Sequence, residues 1–456
     1  MMGWVALLGA TQFFSCNDVT FLCLFLHRYW NETNLIMKES FLYYLWENRL
    51  IKGVLTTNGN QAVQVIDPGY RNMDSGPDYL EARIKIGEQL WAGHVEIHVK
   101  TSDWNRHGHQ HDCAYNNVVL HVVYEHDTAV NLIPVLALKG HFDERLYAHY
   151  ERLIASRHWI ACERSLEQVS PFVKLTCLDR MAVERLEEKS HTVAKLLENS
   201  KFDWEDTLYR LLLRYFGLKV NNEAFENLAN LLPFKTLLKH ADNLVQLEAM
   251  LLGCAGFLNL ESDDAYPQLL KREFAVMRSK FNLLTMPLER WKFMRMRPMN
   301  FPTVRLAQLA QMIHQHGCLF SKIKEAGDVA EAKQLFDVKA SAYWDTHYRF
   351  SVDGPARPKH LGEATADVLM INAVVPLLFC YGKFHKEESY CEKALHFLED
   401  TESEDNSIIR SFASIGLTAD NAMQTQALLH LYNMYCRRKR CLECSIGNNL
   451  LQSNKD

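Results

Sequence analysis

DSGPDYLEARIKIGEQLWAGHVEIHVK, residues 74–100, decides how the N-terminal part of this chain folds. A Gly-Pro-Asp turn ending in Asp78 opens one β-like run, LEARIKIG, and QLWAGHVEIHVK follows as a second. A strand sends successive side chains to opposite faces. His94, Glu96, His98 and Lys100 therefore share one face, and Val95, Ile97 and Val99 take the other. Carboxylates and a base brought together on neighbouring strands are what a metal-dependent hydrolase uses to hold a divalent cation. The same pattern would also serve an exposed sheet face stabilised by cross-strand charge pairs.

On either side of this stretch the pattern stays mixed from Met37 to about residue 160. A helix is expected over 39–50 and strands over 62–69, 80–87, 89–100 and 118–126, with a further one in LIPVLALKG (132–140). VVLHVVYEH is apolar on both faces, as a central strand should be. TSDWNRHGHQHD (101–112) reads as a loop, and DCAYNN as a short helical turn. Beyond about residue 143 helical periodicity takes over, and hairpin signals disappear. The expected fold is a mixed α/β domain over 37–160, followed by a large all-α region over 161–350 and a helical C-terminal region over 351–456, divided near SVDGPARPKHL. Residues 1–36 read as an extension from a start site placed too early, with Met37 as the initiator.

Composition excludes several classes. The 456 residues carry 48% hydrophobic and 23% charged residues, an ordinary globular balance for more than one domain. A net charge of -5 gives no global attraction to nucleic acid, so such binding would need a local patch. No stretch reaches the roughly 20 apolar residues of a membrane helix. Twelve cysteines without a regular framework point to reduced thiols and a cytoplasmic protein.

Three clusters carry candidate chemistry. Seven histidines fall between His94 and His126, and His107, His109, His111 and Asp112 could supply a zinc site on the loop. His111 and Asp112 could instead face the carboxylates and bind substrate phosphate, while Asp103 could line the same cleft. His121, between valine and leucine, reads as a core histidine. Near the C-terminus Cys436, Cys441 and Cys444 lie within one short segment. With Cys162 as a distant fourth they would complete the four ligands of a zinc site or an iron–sulfur cluster; otherwise they are buried thiols. In ERWKFMRMRPMNFPTVRLAQLA (289–310), Arg295, Arg297 and Arg305 stand among Trp291, Phe293 and Phe301. That suits a phosphate backbone with stacked bases, or a structured connection between helices.

The order helix–β–β–β–helix–β, with Pro77-Asp78 and Glu96-Ile97-His98, resembles the PD-(D/E)xK nucleases. The resemblance implies a restriction-endonuclease-like core in which Asp78 and Glu96 ligate magnesium or manganese. His98 stands where those nucleases carry lysine, so His98 or Lys100 would act on the attacking water. It also implies precedent for one distant and three grouped cysteines around a cluster. GPD, GHVEIHVKTSDW, HxHD, NNVVLHVVYE, RPxNFPxxRLAQLA and YCxxKRCLxCSIG together resemble a bacterial family defined only as a domain of unknown function, DUF2851, from Met37 onward. The expected activity is metal-dependent hydrolysis of DNA or RNA. A non-catalytic nuclease-like scaffold and a zinc hydrolase built on the histidine loop are the alternatives.

Overall fold

The computed structural model describes residues 37–129 and 133–453. They form two compact units, one of residues 37–156 with 451–453, the other Arg157–Leu450. The extension expected over 1–36 lies outside the described residues.

The first unit begins with α1 (Glu39–Glu47), which buries Phe41, Leu42, Tyr44, Leu45 and Trp46. It stops short of the expected residue 50, where Arg49 turns left-handed at φ 51°. The strands are β1 (Leu55–Thr56), β2 (Ala62–Asp67), β3 (Tyr70–Arg71), β4 (Tyr79–Ile86), β5 (Gln89–Lys100), β6 (Val118–Glu125) and β7 (Val135–Ala137). They make one mixed sheet in the order β1-β2-β4-β5-β6-β7, with β3 paired to β4. Pairing is antiparallel from β1 through β5, then parallel between β5 and β6 and between β6 and β7. A parallel pair needs a crossover. Here the histidine-rich segment supplies it, as α2 (Asp103–Arg106) and two single helical turns, His109–His111 and Cys113–Tyr115. β6 buries Leu120, Val122 and Val123 completely, which accounts for its unbroken apolar run. α3 (Glu144–Ala155) closes the unit.

The two edges of the sheet meet. Asn58 N–H donates to the Val135 carbonyl at 2.8 Å, and Asn58 Oδ1 accepts the Val135 N–H at 3.1 Å. Thr57 forms a single antiparallel bridge with Leu136. Closure leaves little unpaired edge for another chain to extend.

Two register shifts flank the middle of β5, one against β4 between Tyr79 and Ala82, the other against β6 between His94 and Val95. Bulges of this kind re-aim side chains. Glu81 sits in the first with φ 58°. Gly93 adjoins the second, and a Cβ there would lie 2.4 Å from Val119 Cγ1 and 2.6 Å from the Asn117 carbonyl. The glycine is what lets the start of β6 approach.

The second unit is helical, as expected. α4 (Pro171–Asn199) opens with Ser170 Oγ accepting the Val173 N–H and proline in the first turn. The larger core takes in Val338 and Leu369, on either side of 351–361. One difference from the sequence reading appears: a small hairpin, His347–Arg349 with Val352–Asp353, interrupts the helices. It pairs too few residues to show alternation. Among the described residues one helix, Glu363–His385, is apolar and long enough to cross a membrane. Its most apolar window is 67% buried within the protein, as in a core helix.

Gly93→Val should destabilise the protein by about 1–3 kcal/mol, the range for overpacking a close contact. Urea denaturation would detect it, and an unchanged midpoint would mean that the β5–β6 approach does not depend on this glycine.

Candidate functional site

Asp78 and Glu96 are joined by a reciprocal pair of bonds between strands. Asp78 N–H donates to Glu96 Oε2 at 3.1 Å, and Ile97 N–H donates to Asp78 Oδ2 at 2.9 Å. Each carboxylate thus satisfies a backbone group that the bulge would otherwise orphan. Asp78 Oδ1 accepts the Tyr43 hydroxyl at 3.0 Å. Glu96 is only 4% exposed, and burial, reinforced by Asp78, pushes its carboxyl up to about 9. Burial also raises Asp78, against the Ile97 and Tyr43 hydrogen bonds that lower it.

The other Glu96 oxygen meets histidines. His98 Nε2 lies 3.4 Å from Glu96 Oε1, and His109 Nε2 lies 3.2 Å from the same atom. His98 Nε2 is also 3.1 Å from His107 Nδ1, and its Nδ1 is 2.9 Å from His121 Nε2. Donor atoms of His98, His107 and His109 all fall within 4.8 Å of one another. Burial, with the neighbouring imidazoles, holds His98 down to about 2 and His121 to about 4, and burial likewise lowers His109. Burial thus favours the neutral form of these rings, the form that ligates a metal. His109 Nε2 is buried without a hydrogen bond despite its short distance to Glu96. Ligands about 2.1 Å from a tetrahedral ion stand roughly 3.4 Å apart, which matches these separations. His109 is held by stacking on Tyr115 at 3.9 Å between centroids and by the edge of Trp104 at 5.3 Å.

Several residues expected at the site are elsewhere. Lys100 is exposed at the end of β5 and pairs with neither carboxylate; its charge bears on Asp127. Asp103 is buried but staples its own turn, accepting the Lys100 N–H at 3.0 Å and pairing with Arg106 at 2.9 Å. His94 accepts the Glu81 N–H at 3.4 Å. Asp112 caps the turn after it by accepting the Ala114 N–H, and His111 is exposed; neither faces the carboxylates. His121 is fully buried, as read, yet it adjoins His98. Sequence reasoning did not select Glu39, Tyr43 or Tyr115. Glu39, raised by burial and then by Asp78, shares one face of α1 with Tyr43 at a spacing of one turn, a signal the sequence did contain.

In the helical unit Cys162, Cys436, Cys441 and Cys444 gather closely enough that the thiols raise one another, on top of burial, for Cys162, Cys436 and Cys441. Cys177, on α4, is a fifth member, donating to Cys444. That bond, with the N–H groups of Gly447 and Ile446, lowers Cys444. The 289–310 segment reads differently. Trp291 is buried and donates to the Ala255 carbonyl at 2.8 Å, and Phe293 and Phe301 pack on the core, so none is a base-stacking platform. Arg305 is 4% exposed, while Arg295 and Arg297 are exposed.

Over residues 39–407 the chain matches the family described as protein of unknown function (DUF2851), and it belongs to that family. The matched span ends before Cys436. Neither a curated protein nor a solved structure matches the chain.

In metal-free protein, stability should peak at intermediate pH. Folded Glu96 keeps its proton above the unfolded value of 4.5, so stability falls as pH rises toward 9. Folded His98 and His121 refuse protons that the unfolded chain accepts below 6.5, so stability falls again as pH drops toward 4 and below. Each limb approaches roughly 1.4 kcal/mol per pH unit per site. Denaturation midpoints between pH 4 and 9 would show both limbs, and Glu96→Gln should flatten the alkaline one.

Proposed function

We propose that the first unit is a metal-dependent phosphodiesterase acting on DNA or RNA, with a restriction-endonuclease-like core. The observation that carries it is the contact of Glu96 Oε1 with His98 and His109, together with the His98, His107 and His109 donor atoms lying within 4.8 Å of one another. The sequence of elements supports the nuclease class. α1 precedes the antiparallel β2, β4 and β5, and β6 returns parallel to β5 after a helical crossover. Asp78 opens the second of these strands and Glu96 lies in the third, as the PD-(D/E)xK resemblance requires.

Glu96, His98, His107 and His109 would hold the cation, with Asp78 beside them. Such a mixed imidazole and carboxylate set favours manganese or zinc over magnesium. A bound cation would supply Lewis acidity and lower the pKa of its water. Asp78 fixes the Glu96 carboxylate through its own N–H, and His121 fixes the His98 ring through Nδ1. His98 serves as a ligand here, not as the base: its Nδ1 is taken up by His121, its Nε2 faces Glu96 Oε1 and His107, and burial lowers its basicity. Lys100 is too far out for that role.

A zinc or iron–sulfur centre at Cys162, Cys436, Cys441 and Cys444 rests on these four thiols being neighbours in the helical unit; among the described residues only the imidazoles of the first unit bring three donor atoms within 4.8 Å of one another. Amide N–H groups already directed at Cys444 favour the charged sulfur such a centre needs. Ten free cysteines among the described residues support a reducing, cytoplasmic setting.

Purified protein with manganese or zinc should cleave single- or double-stranded DNA or RNA. Glu96→Gln and His109→Ala should each lower the rate at least 100-fold while circular dichroism stays unchanged. Full activity in both variants ends the proposal. A rate that falls only in parallel with stability assigns the Asp78–Glu96 pair a purely structural role. For the thiols, Cys441→Ser and Cys162→Ala should each remove one equivalent of zinc, or the iron and labile sulfide, measured by elemental analysis. Metal content unchanged in both excludes those ligands.

A further inference from the structure

The helical unit contains a cleft of about 760 Å³ in which the Arg-Pro-x-Asn-Phe-Pro turn faces the segment around residues 357–360. Its walls carry Arg297, Arg305, Arg357 and His360 and no carboxylate. Arg305 is the unusual member. It is only 4% exposed, and its guanidinium donates to Gln308 at 2.8 Å, Asn300 at 2.6 Å and Thr365 at 3.0 Å, all neutral. A buried charge without a counter-charge is costly, and proteins keep one where something else supplies the opposite sign. Burial alone lowers the Arg305 pKa to about 10, with no opposing charge among its causes.

The surroundings hold these cations in place. Lys359 is fully buried, lies 4.2 Å over the Tyr348 ring, and donates to the Asp345 and Arg357 carbonyls. Gln308, already bonded to Arg305, donates its amide to the Lys359 carbonyl at 3.0 Å. One hydrogen-bonded chain thus fixes Arg305 relative to the strand of chain that bears Arg357. The closest acid to His360, Asp337, stands 3.9 Å from it and does not line the cleft. The rest of the wall is largely apolar, including Leu218, Pro298 and Val368.

We propose that this cleft binds a phosphate group carried on an organic body of about nucleotide size, with Arg305 and Arg357 on the phosphate. The volume lies within the range of small-molecule sites, and paired guanidinium groups suit phosphate oxygens. The site is built from the helical unit alone and is independent of the metal reading of the first unit.

Isothermal titration of the full chain in EDTA, which silences any metal-bound phosphate, tests this with pyrophosphate, adenosine monophosphate and adenosine. The nucleotide should bind at least 10-fold more tightly than adenosine. Arg357→Ala, an exposed position, should weaken nucleotide binding 5-fold or more without changing the thermal midpoint of the free protein. Arg305→Met should abolish it. Should Arg305→Met not fold, Arg297→Ala combined with Arg357→Ala keeps the test alive. No binding of either anion, equal binding of adenosine, or binding that survives the double substitution overturns the proposal. Pyrophosphate binding as tightly as the nucleotide overturns the organic-body half.

Discussion

The cost of burying one carboxylate organises the first unit. Glu96 sits at 4% exposure in the middle of a sheet, where an ionised acid pays heavily for lost hydration. Everything around it answers that cost. A bulge in β4 frees the Asp78 N–H to donate to one oxygen, and imidazoles whose neutral form burial favours crowd the other. Without a cation the acid stays protonated to about pH 9. A divalent ion would reverse the balance, since it repays desolvation with the strongest local charge a protein can recruit. The sheet, its bulges and the histidine crossover share this one electrostatic problem.

Much of this was legible in the residues. β5 runs over the stretch read from its alternation, Gln89–Lys100, because a twelve-residue strand repeats its pattern often enough to be unmistakable. The contact between Glu96 and His98 follows from the same period. What alternation cannot say is where a crossover lands. His107 and His109 are brought beneath Glu96 by the path of α2 and the turn after it, and residue spacing on such a path constrains no distance. His111, two residues further along, is exposed for the same reason. β1 and β3 escaped notice because two residues show no period, and their pairing is set by partners elsewhere.

The helical unit shows the opposite balance. Its helices were plain, but the meaning of its polar residues was not. Arg305 and the aromatics near it suited either a nucleic-acid surface or a structured connection between helices, since basic and aromatic residues alternate there beside a proline-rich turn. Once folded, Trp291, Phe293 and Phe301 face the core and Arg305 lines a cleft opposite Arg357. Periodicity marks which side of a helix is buried, yet it cannot separate a guanidinium that is buried from one that snorkels to water. Likewise the three grouped cysteines announced themselves, whereas Cys177 looked like any apolar position of a long helix until its thiol was found beside Cys444.

The meeting of the sheet's edges also constrains how the chain reaches this state. The Asn58–Val135 bonds join residues 77 apart, so the first strand cannot finish pairing until nearly the whole domain has been synthesised. Until then β1 is held by β2 alone. Closure of so long a loop is entropically slow, and the ring of strands should therefore assemble late and in one step, with β6 and β7 docking before the circle shuts. A nascent chain halted before Val135 would carry β5 and β6 without β7, and the two edges of the sheet could not meet.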